Sequence, residues 1–168
     1  MTSMTLRVKP LAVEHDRMTF HCGDDALDRY FQQQAGQDMK RNIATVIVAT
    51  RDDSTAVLGY YTLSASSVDL SLLPDATRKK LPRYGYIPAV LLGRLAVAEE
   101  IQGTGLGGLL LADAVRRACS GDVAWAILVV RAKHDAAAAF YRHFGFVPFL
   151  GDPLRLWIAR TAALAVLP

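Results

Sequence analysis

Leu92-Gly-Arg-Leu-Ala-Val97, then Gln102-Gly-Thr-Gly-Leu-Gly-Gly108, then an Ala/Leu-rich run to Ala118 read as a buried strand, a short turn, a glycine loop and a helix. Closely spaced glycines let backbone N–H groups converge on an anion, and the helix N-terminus behind them adds positive dipole. A strand–glycine loop–helix unit of this kind is built to hold phosphates.

Two familiar phosphate loops fit poorly. A Walker loop closes its glycine run with Lys and Ser or Thr, whereas Gly107-Gly108 is followed by Leu109. Gly103, Gly105 and Gly108 do spell G-x-G-x-x-G. A dinucleotide fold, however, puts the first glycine at the end of the strand and adds further βα units after it. Here Ala98-Glu-Glu-Ile-Gln102 intervenes, and 60 residues remain after Gly108.

The signature Gln102-Gly-Thr-Gly-Leu-Gly107, after a strand carrying Leu95-Ala96-Val97, resembles motif A of the GNAT superfamily of acetyl-CoA-dependent N-acetyltransferases. That resemblance implies that Gln102, Gly103, Thr104, Gly105, Leu106, Gly107 and Gly108 hold the coenzyme pyrophosphate. It further implies that Leu95, Ala96 and Val97 line the pantetheine arm, with the Val97 N–H aimed at the thioester oxygen.

The 168 residues read as one GNAT domain, residues 1–168, of mixed α/β (α+β) class: a mostly antiparallel sheet with one parallel, splayed strand pair and flanking helices. The chain is 52% hydrophobic, yet charged residues interrupt every apolar run before it could span a bilayer, and the start lacks a signal-peptide h-region. No membrane association and a cytoplasmic location are expected. Cys22 and Cys119 lack metal spacing, as do His15, His21, His134 and His143, so two reduced thiols and no metal are expected.

Along the chain, Thr5–Lys9 reads as a strand and Asp24 or Asp25 caps a helix reaching Gln34. Met39–Asn42 reads as a second helical piece, Ile43–Thr50 as a strand turned by residues 51–54, and Ala56–Val68 as a long strand. Gly59 marks a bend or close approach. Pro74 and Pro82 bracket a short basic helix, and Pro88–Ala98 and Gly105–Cys119 are the motif strand and helix, with Asp113, Arg116 and Arg117 outward. Val123–Val130 suits a central strand covered on both faces, followed by helix His134–His143 and strands Phe146–Phe149 and Leu154–Arg160. The tail Thr161–Pro168 either extends the last element over the core or packs on another subunit, and the second is favoured, giving a homodimer.

Charge is unevenly placed: residues 1–70 carry 7 basic against 9 acidic side chains, residues 71–168 carry 12 against 7. Arg78, Lys79, Lys80, Arg83 and Arg94 fall in a stretch with no acid between Asp75 and Glu99. Such a stripe suits a polyanionic partner or a solvated loop beside the coenzyme's own phosphates. Arg94 alternatively pairs with a carboxylate inside the fold.

The resemblance narrows at Phe20-x-Cys-Gly-x-x-x-Leu-Asp-x-Tyr-Phe31, Gly59-Tyr-Tyr-Thr-Leu63, Leu92–Val97 and Phe140-Tyr-x-x-Phe-Gly-Phe146. From Phe20 to about Phe149 the chain is similar to the GNAT toxins of bacterial toxin–antitoxin systems. The implied reaction acetylates the α-amino group of the amino acid on aminoacyl-tRNA, which blocks translation, and the implied partner is a ribbon-helix-helix antitoxin. Tyr141 becomes the acid that meets the departing thiolate, a role its helical position alone would not suggest. The basic stripe becomes the tRNA contact. One family feature is absent: the usual Asn before the last helix is replaced by Arg131-Ala-Lys-His-Asp135, where Asp135 could cap the helix or accept from pantetheine. Alternative acceptors are a protein N-terminus or a small amine, and a different class is a non-catalytic acetyl-CoA-binding module.

Overall fold

A computed structural model describes residues 5–52 and 54–167. The strands are β1 (Leu6–Pro10), β2 (Thr45–Arg51), β3 (Val57–Asp69), β4 (Tyr86–Val97), β5 (Ile127–Arg131), β6 (Val147–Phe149) and β7 (Asp152–Ala159). The helices are α1 (Asp25–Gln33), α2 (Ala35–Lys40), α3 (Asp75–Arg78), α4 (Leu106–Ser120), α5 (Asp135–His143) and α6 (Arg160–Ala163). Among the described residues the sheet order is β1-β2-β3-β4-β5-β7-β6. The pairs β1–β2, β2–β3, β5–β7 and β6–β7 are antiparallel, and β4–β5 is parallel. The fold is therefore the mixed α/β sheet the sequence implies. The β4–β5 pairing runs from Ala89↔Ile127 to Leu92↔Val130, while β4 itself continues to Val97.

Two compact units divide the chain, Met1–Ser64 with Arg94–Ala114, and Ala65–Gly93 with Val115–Pro168. The first is built on aromatic packing. Phe31 stacks on Tyr60 at 4.4 Å between centroids, and Phe20 meets both rings edge-on at 5.2 and 5.5 Å. Each such pair adds about 0.5–1.5 kcal/mol beyond burial. The α1 helix delivers Tyr30 and Phe31 to this core because Asp24 caps it, its carboxylate accepting from Ala26 and Leu27 N–H at 2.9 and 3.0 Å. Gly59 sits where β3 is crowded from two directions. A Cβ there would lie 2.9 Å from the Ala96 carbonyl oxygen and 2.9 Å from Leu110 Cδ1. The close-approach reading of Gly59 is borne out.

The second unit closes over Val68, Leu73, Ile87, Ile127, Val129, Phe149 and Trp157. Several boundaries differ from the sequence reading. The central strand starts at Ile127 rather than Val123, which is 81% exposed. The preceding residues are instead bent by Trp125, whose buried indole donates to the Ala118 carbonyl at 2.8 Å. The second helical piece runs over Ala35–Lys40, because Asn42 adopts a left-handed φ of 59° and cannot continue a helix. Of the predicted turn at residues 51–54, Asp53 lies outside the described residues. The tail, up to Leu167, forms α6 and one 3-10 turn, with Ala163 fully buried and Leu164 exposed, and Pro168 lies outside the described residues.

Candidate active site

The glycine loop is held from behind by one side chain. Gln102 donates both amide hydrogens, to the Val97 carbonyl at 2.9 Å and the Cys22 carbonyl at 2.7 Å. Thr104 Oγ1 donates to the Ile101 carbonyl at 2.6 Å, and the Ala98 N–H reaches Leu58 O at 2.8 Å. The strand end, the short turn Glu99–Ile101 and the loop are thereby fixed as one piece. With its donors spent on backbone, Gln102 acts as a positioning residue. Its free carbonyl end is an acceptor and does not suit a phosphate.

Gly103 and Gly105 take φ of 80° and 94°, and a Cβ at either would meet nothing within 4 Å. Their requirement is conformational rather than spatial. The consequence lies in the amides. Among the described residues no acceptor receives the N–H groups of Gly103, Thr104, Gly105, Leu106, Gly107 or Gly108, and the first helical bond is Leu109 N–H to Gly105 O at 3.2 Å. Six consecutive donors at the head of a fifteen-residue helix are a chemistry that suits an anion, with the helix dipole adding to them. The loop residues 102–105 are solvent-exposed, so an incoming phosphate loses little access. The chemistry of these donors fits a pyrophosphate.

Two tertiary contacts around the loop have no signature in the sequence. Tyr61, fully buried on β3, donates to Asp113 on α4 at 2.5 Å, so the half-exposed Asp113 engages the core through one carboxylate oxygen. Arg94 is half-buried with its guanidinium carbon 3.4 Å from the centroid of the Tyr30 ring. The Tyr30 hydroxyl donates to Asp38 at 2.8 Å, and Gln34 donates to the other Asp38 oxygen at 2.9 Å. Burial, followed by the Asp38 acceptor, pushes the Tyr30 phenol up to about 12. Arg94 thus stacks on an aromatic face with Asp38 among its electrostatic neighbours, close to the alternative that pairs it inside the fold.

The remaining candidates lie in the second unit. Tyr141 is buried on α5, its ring edge-on to Phe140 and Phe146 at 5.1 and 5.4 Å, and no group among the described residues hydrogen-bonds its hydroxyl. Burial raises its pKa above the ordinary phenol value. The helix ends at Gly145, φ 98°, with the Phe146 N–H returning to Tyr141 O at 3.2 Å, as the Gly145 signal predicts. The cap differs from expectation: His134 Nδ1 accepts from the Ala137 N–H at 3.2 Å, so His134 is the N-cap and Asp135 is the exposed first helical residue. Of the basic stripe, Arg78 pairs with Asp75. Lys79, Lys80 and Arg83 are exposed with no carboxylate partner among the described residues. Both cysteines are free, and no group of three or more potential metal ligands occurs among the described residues. Burial pushes the Cys22 thiol up to about 12, which makes it a poor nucleophile at neutral pH. Among the described residues no helix is long and apolar enough to cross a membrane.

Residues 42–148 match the acetyltransferase (GNAT) domain. A tRNA-acetylating toxin of Mycobacterium tuberculosis is 34% identical over 154 residues, 90% of each chain. Among solved structures, AtaT complexed with acetyl-methionyl-tRNAfMet superposes with a TM-score of 0.86 at 31% identity, over 94% of this chain and 96% of that one. A tyrosine-to-phenylalanine mutant of the AtaT toxin, bound to the C-terminus of the antitoxin AtaR and acetyl-CoA, gives 0.79 at 27%, over 96% and 97%.

Proposed function

This chain belongs to the GNAT acetyltransferases, which use acetyl-CoA, and from that premise we propose that its acceptor is the α-amino group of aminoacyl-tRNA. Acetylation there would block translation and make the protein a toxin. The unpaired amides of Gly103–Gly108 carry the coenzyme half of this reading. The likeness to a tRNA-acetylating toxin over 90% of the chain supports the acceptor half. A single catalytic domain is supported by a family match that draws on both compact units.

Bound acetyl-CoA supplies an activated acetyl thioester and a pyrophosphate anchor. In this reading the residues Gly103–Gly108 bind the pyrophosphate through backbone N–H groups, with Gln102 and Thr104 holding the loop in shape. Leu95, Ala96 and Val97 continue β4 beyond its last β5 partner, which leaves that edge for the pantetheine arm, and the Val97 N–H steadies the carbonyl oxygen as it gains charge. Asp135, exposed at the head of α5, offers an acceptor in place of the missing Asn.

Tyr141 keeps its proton at every physiological pH because burial raises its pKa. Full transfer to a thiolate of pKa about 8.5 is uphill by at least ~2 kcal/mol from an ordinary phenol of about 10. The group therefore works as a hydrogen-bond donor whose proton moves only as sulfur charge peaks. No chain base is required: an α-amino group of pKa about 7.7–8.0 is roughly one-quarter neutral at pH 7.4.

Lys79, Lys80 and Arg83 take tRNA phosphates, with Arg78 and Arg94 already engaged by Asp75 and Tyr30. A ribbon-helix-helix antitoxin, a homodimer and a cytoplasmic location complete the proposal. The test is radiolabelled acetyl transfer from acetyl-CoA to charged tRNA, deacylated tRNA, a polyamine panel and N-terminal peptides. Label confined to charged tRNA and lost with Tyr141→Phe supports the reading. Label on free amines or peptides alone refutes the acceptor, and none anywhere returns the chain to a binding module.

A further inference from the structure

Between α3 and β4 the second unit carries a cavity of about 520 Å³, lined by Leu70, Leu81, Pro82, Arg78, Lys79 and Arg83 among others. That volume lies within the range of about 300–1,000 Å³ typical of small-ligand pockets. Two large aromatic side chains stand beside its Gly85 edge. Tyr84 is 79% exposed and Tyr86 is 61% exposed, and neither has a ring or hydrogen-bond partner among the described residues. Of the six tyrosines in the chain, the other four are at least nine-tenths buried.

The two rings flank Gly85, whose φ of 80° bends the chain and whose carbonyl accepts from the Leu70 N–H at 2.9 Å. The loop is therefore braced where it presents them. Lys79 and Arg83 line the same cavity as Gly85, exposed and without carboxylate partners among the described residues, while the Asp75 carboxylate that also lines it is paired with Arg78. Exposed aromatic faces next to unpaired cations are an arrangement that receives single-stranded nucleic acid. Phosphates meet the cations while unpaired bases stack on the rings. A duplex, whose bases are already stacked, would use the cations alone.

We propose that Tyr84 and Tyr86 stack unpaired nucleotides of the single-stranded acceptor end of charged tRNA, with Lys79 and Arg83 holding the adjoining phosphates. This rests on the aminoacyl-tRNA reading above and adds a base-stacking platform to it. The tyrosines read no particular base, since every base has a π face. Their function is to fix where the charged end lies.

The test compares Tyr84→Ala, Tyr86→Ala, the matching Phe variants, Lys79→Gln and Arg83→Gln. Two dissociation constants are measured, for a short single-stranded RNA with the tRNA 3′-terminal sequence and for a blunt duplex RNA, across a salt series. KM and kcat are measured with charged tRNA. Each Tyr→Ala change weakens single-strand binding about tenfold, within the range measured for base–aromatic stacking. Duplex binding stays at the wild-type value, the Phe variants bind as wild type, and the loss with charged tRNA falls in KM rather than in kcat. Lys79→Gln and Arg83→Gln instead reduce the salt slope for the single strand by about 0.7 each. Tyr→Ala variants that bind the single strand like wild type, or that lose single strand and duplex equally, overturn the inference while acetylation of charged tRNA stands. A wild-type protein that acetylates no charged tRNA overturns the underlying reading instead.

Discussion

Gly59→Ala should damage the coenzyme loop without touching it. The added methyl would sit 2.9 Å from both the Ala96 carbonyl oxygen and Leu110 Cδ1, and 3.5 Å from Leu106 Cδ2. Recovering an ordinary 3.4 Å separation requires about 0.5 Å of movement by strand, helix or both. Leu110 can rotate, but Ala96 presents backbone, so part of the shift must fall on β4 itself. Overpacking of this kind costs roughly 1–3 kcal/mol. Against it stands a gain of about 0.4–1 kcal/mol from stiffening the unfolded chain. The net loss is about 1–2 kcal/mol, which in a chain of this length lowers Tm by roughly 2–8 °C. Because Ala96 and Leu106 border the loop on its two sides, the same displacement should raise KM for acetyl-CoA several-fold. Circular dichroism melts and steady-state kinetics measure both. Gly121→Ala is the control, since its Cβ would meet nothing within 4 Å and its φ is not positive. If Gly59→Ala melts at or above the wild-type temperature, the close-approach argument is wrong.

Gly105→Ala should raise KM for acetyl-CoA with little change in melting behaviour of the rest of the chain. A side chain at φ 94° costs about 1–2 kcal/mol of backbone strain, although the space is open; wild-type affinity for the coenzyme would show that the loop does not need this conformation. Asp113→Asn should destabilise by about 1–3 kcal/mol, because Tyr61 loses a charged acceptor while remaining buried. Chemical denaturation would reveal that loss, and an unchanged midpoint would dismiss the contact. Tyr141→Phe should lower kcat by about 10²–10⁴ with little effect on KM for acetyl-CoA, and single-turnover kinetics would separate the two. In the wild type, rate should climb with pH as the acceptor amine deprotonates and level off above about pH 8. No falling limb should follow below pH 10, because the Tyr141 phenol titrates higher than an ordinary one. A decline between pH 8 and 9.5 would point to another acid.

The part of the site written into consecutive residues was legible, and the part assembled from distant ones was not. The loop from Gln102 to Gly108 announces itself because glycine at φ 80° and 94° and a helix start are local requirements with local spellings. Gly145 is the same kind of signal, and it stops α5 where the spelling says. The Gln102 amide, by contrast, is spent on Cys22, eighty positions back in sequence, so its work as a brace is invisible to any reading of the motif. The bond from Tyr61 to Asp113 spans 52 residues, so a helical-face reading, which groups Asp113 with Arg116 and Arg117, has no means of finding it. The His134 cap was missed for a subtler reason. Asp is the better capping residue in general, and only the backbone phase of α5 decides which of two adjacent candidates stands one residue outside the helix. Tyr84-Gly-Tyr86 carries no local signal at all: solvent exposure alone separates it from the buried Tyr60-Tyr61 pair. Sequence thus locates anion sites built from backbone amides better than it locates surfaces built from side chains, because the former depend on local φ and the latter on what the rest of the chain leaves uncovered.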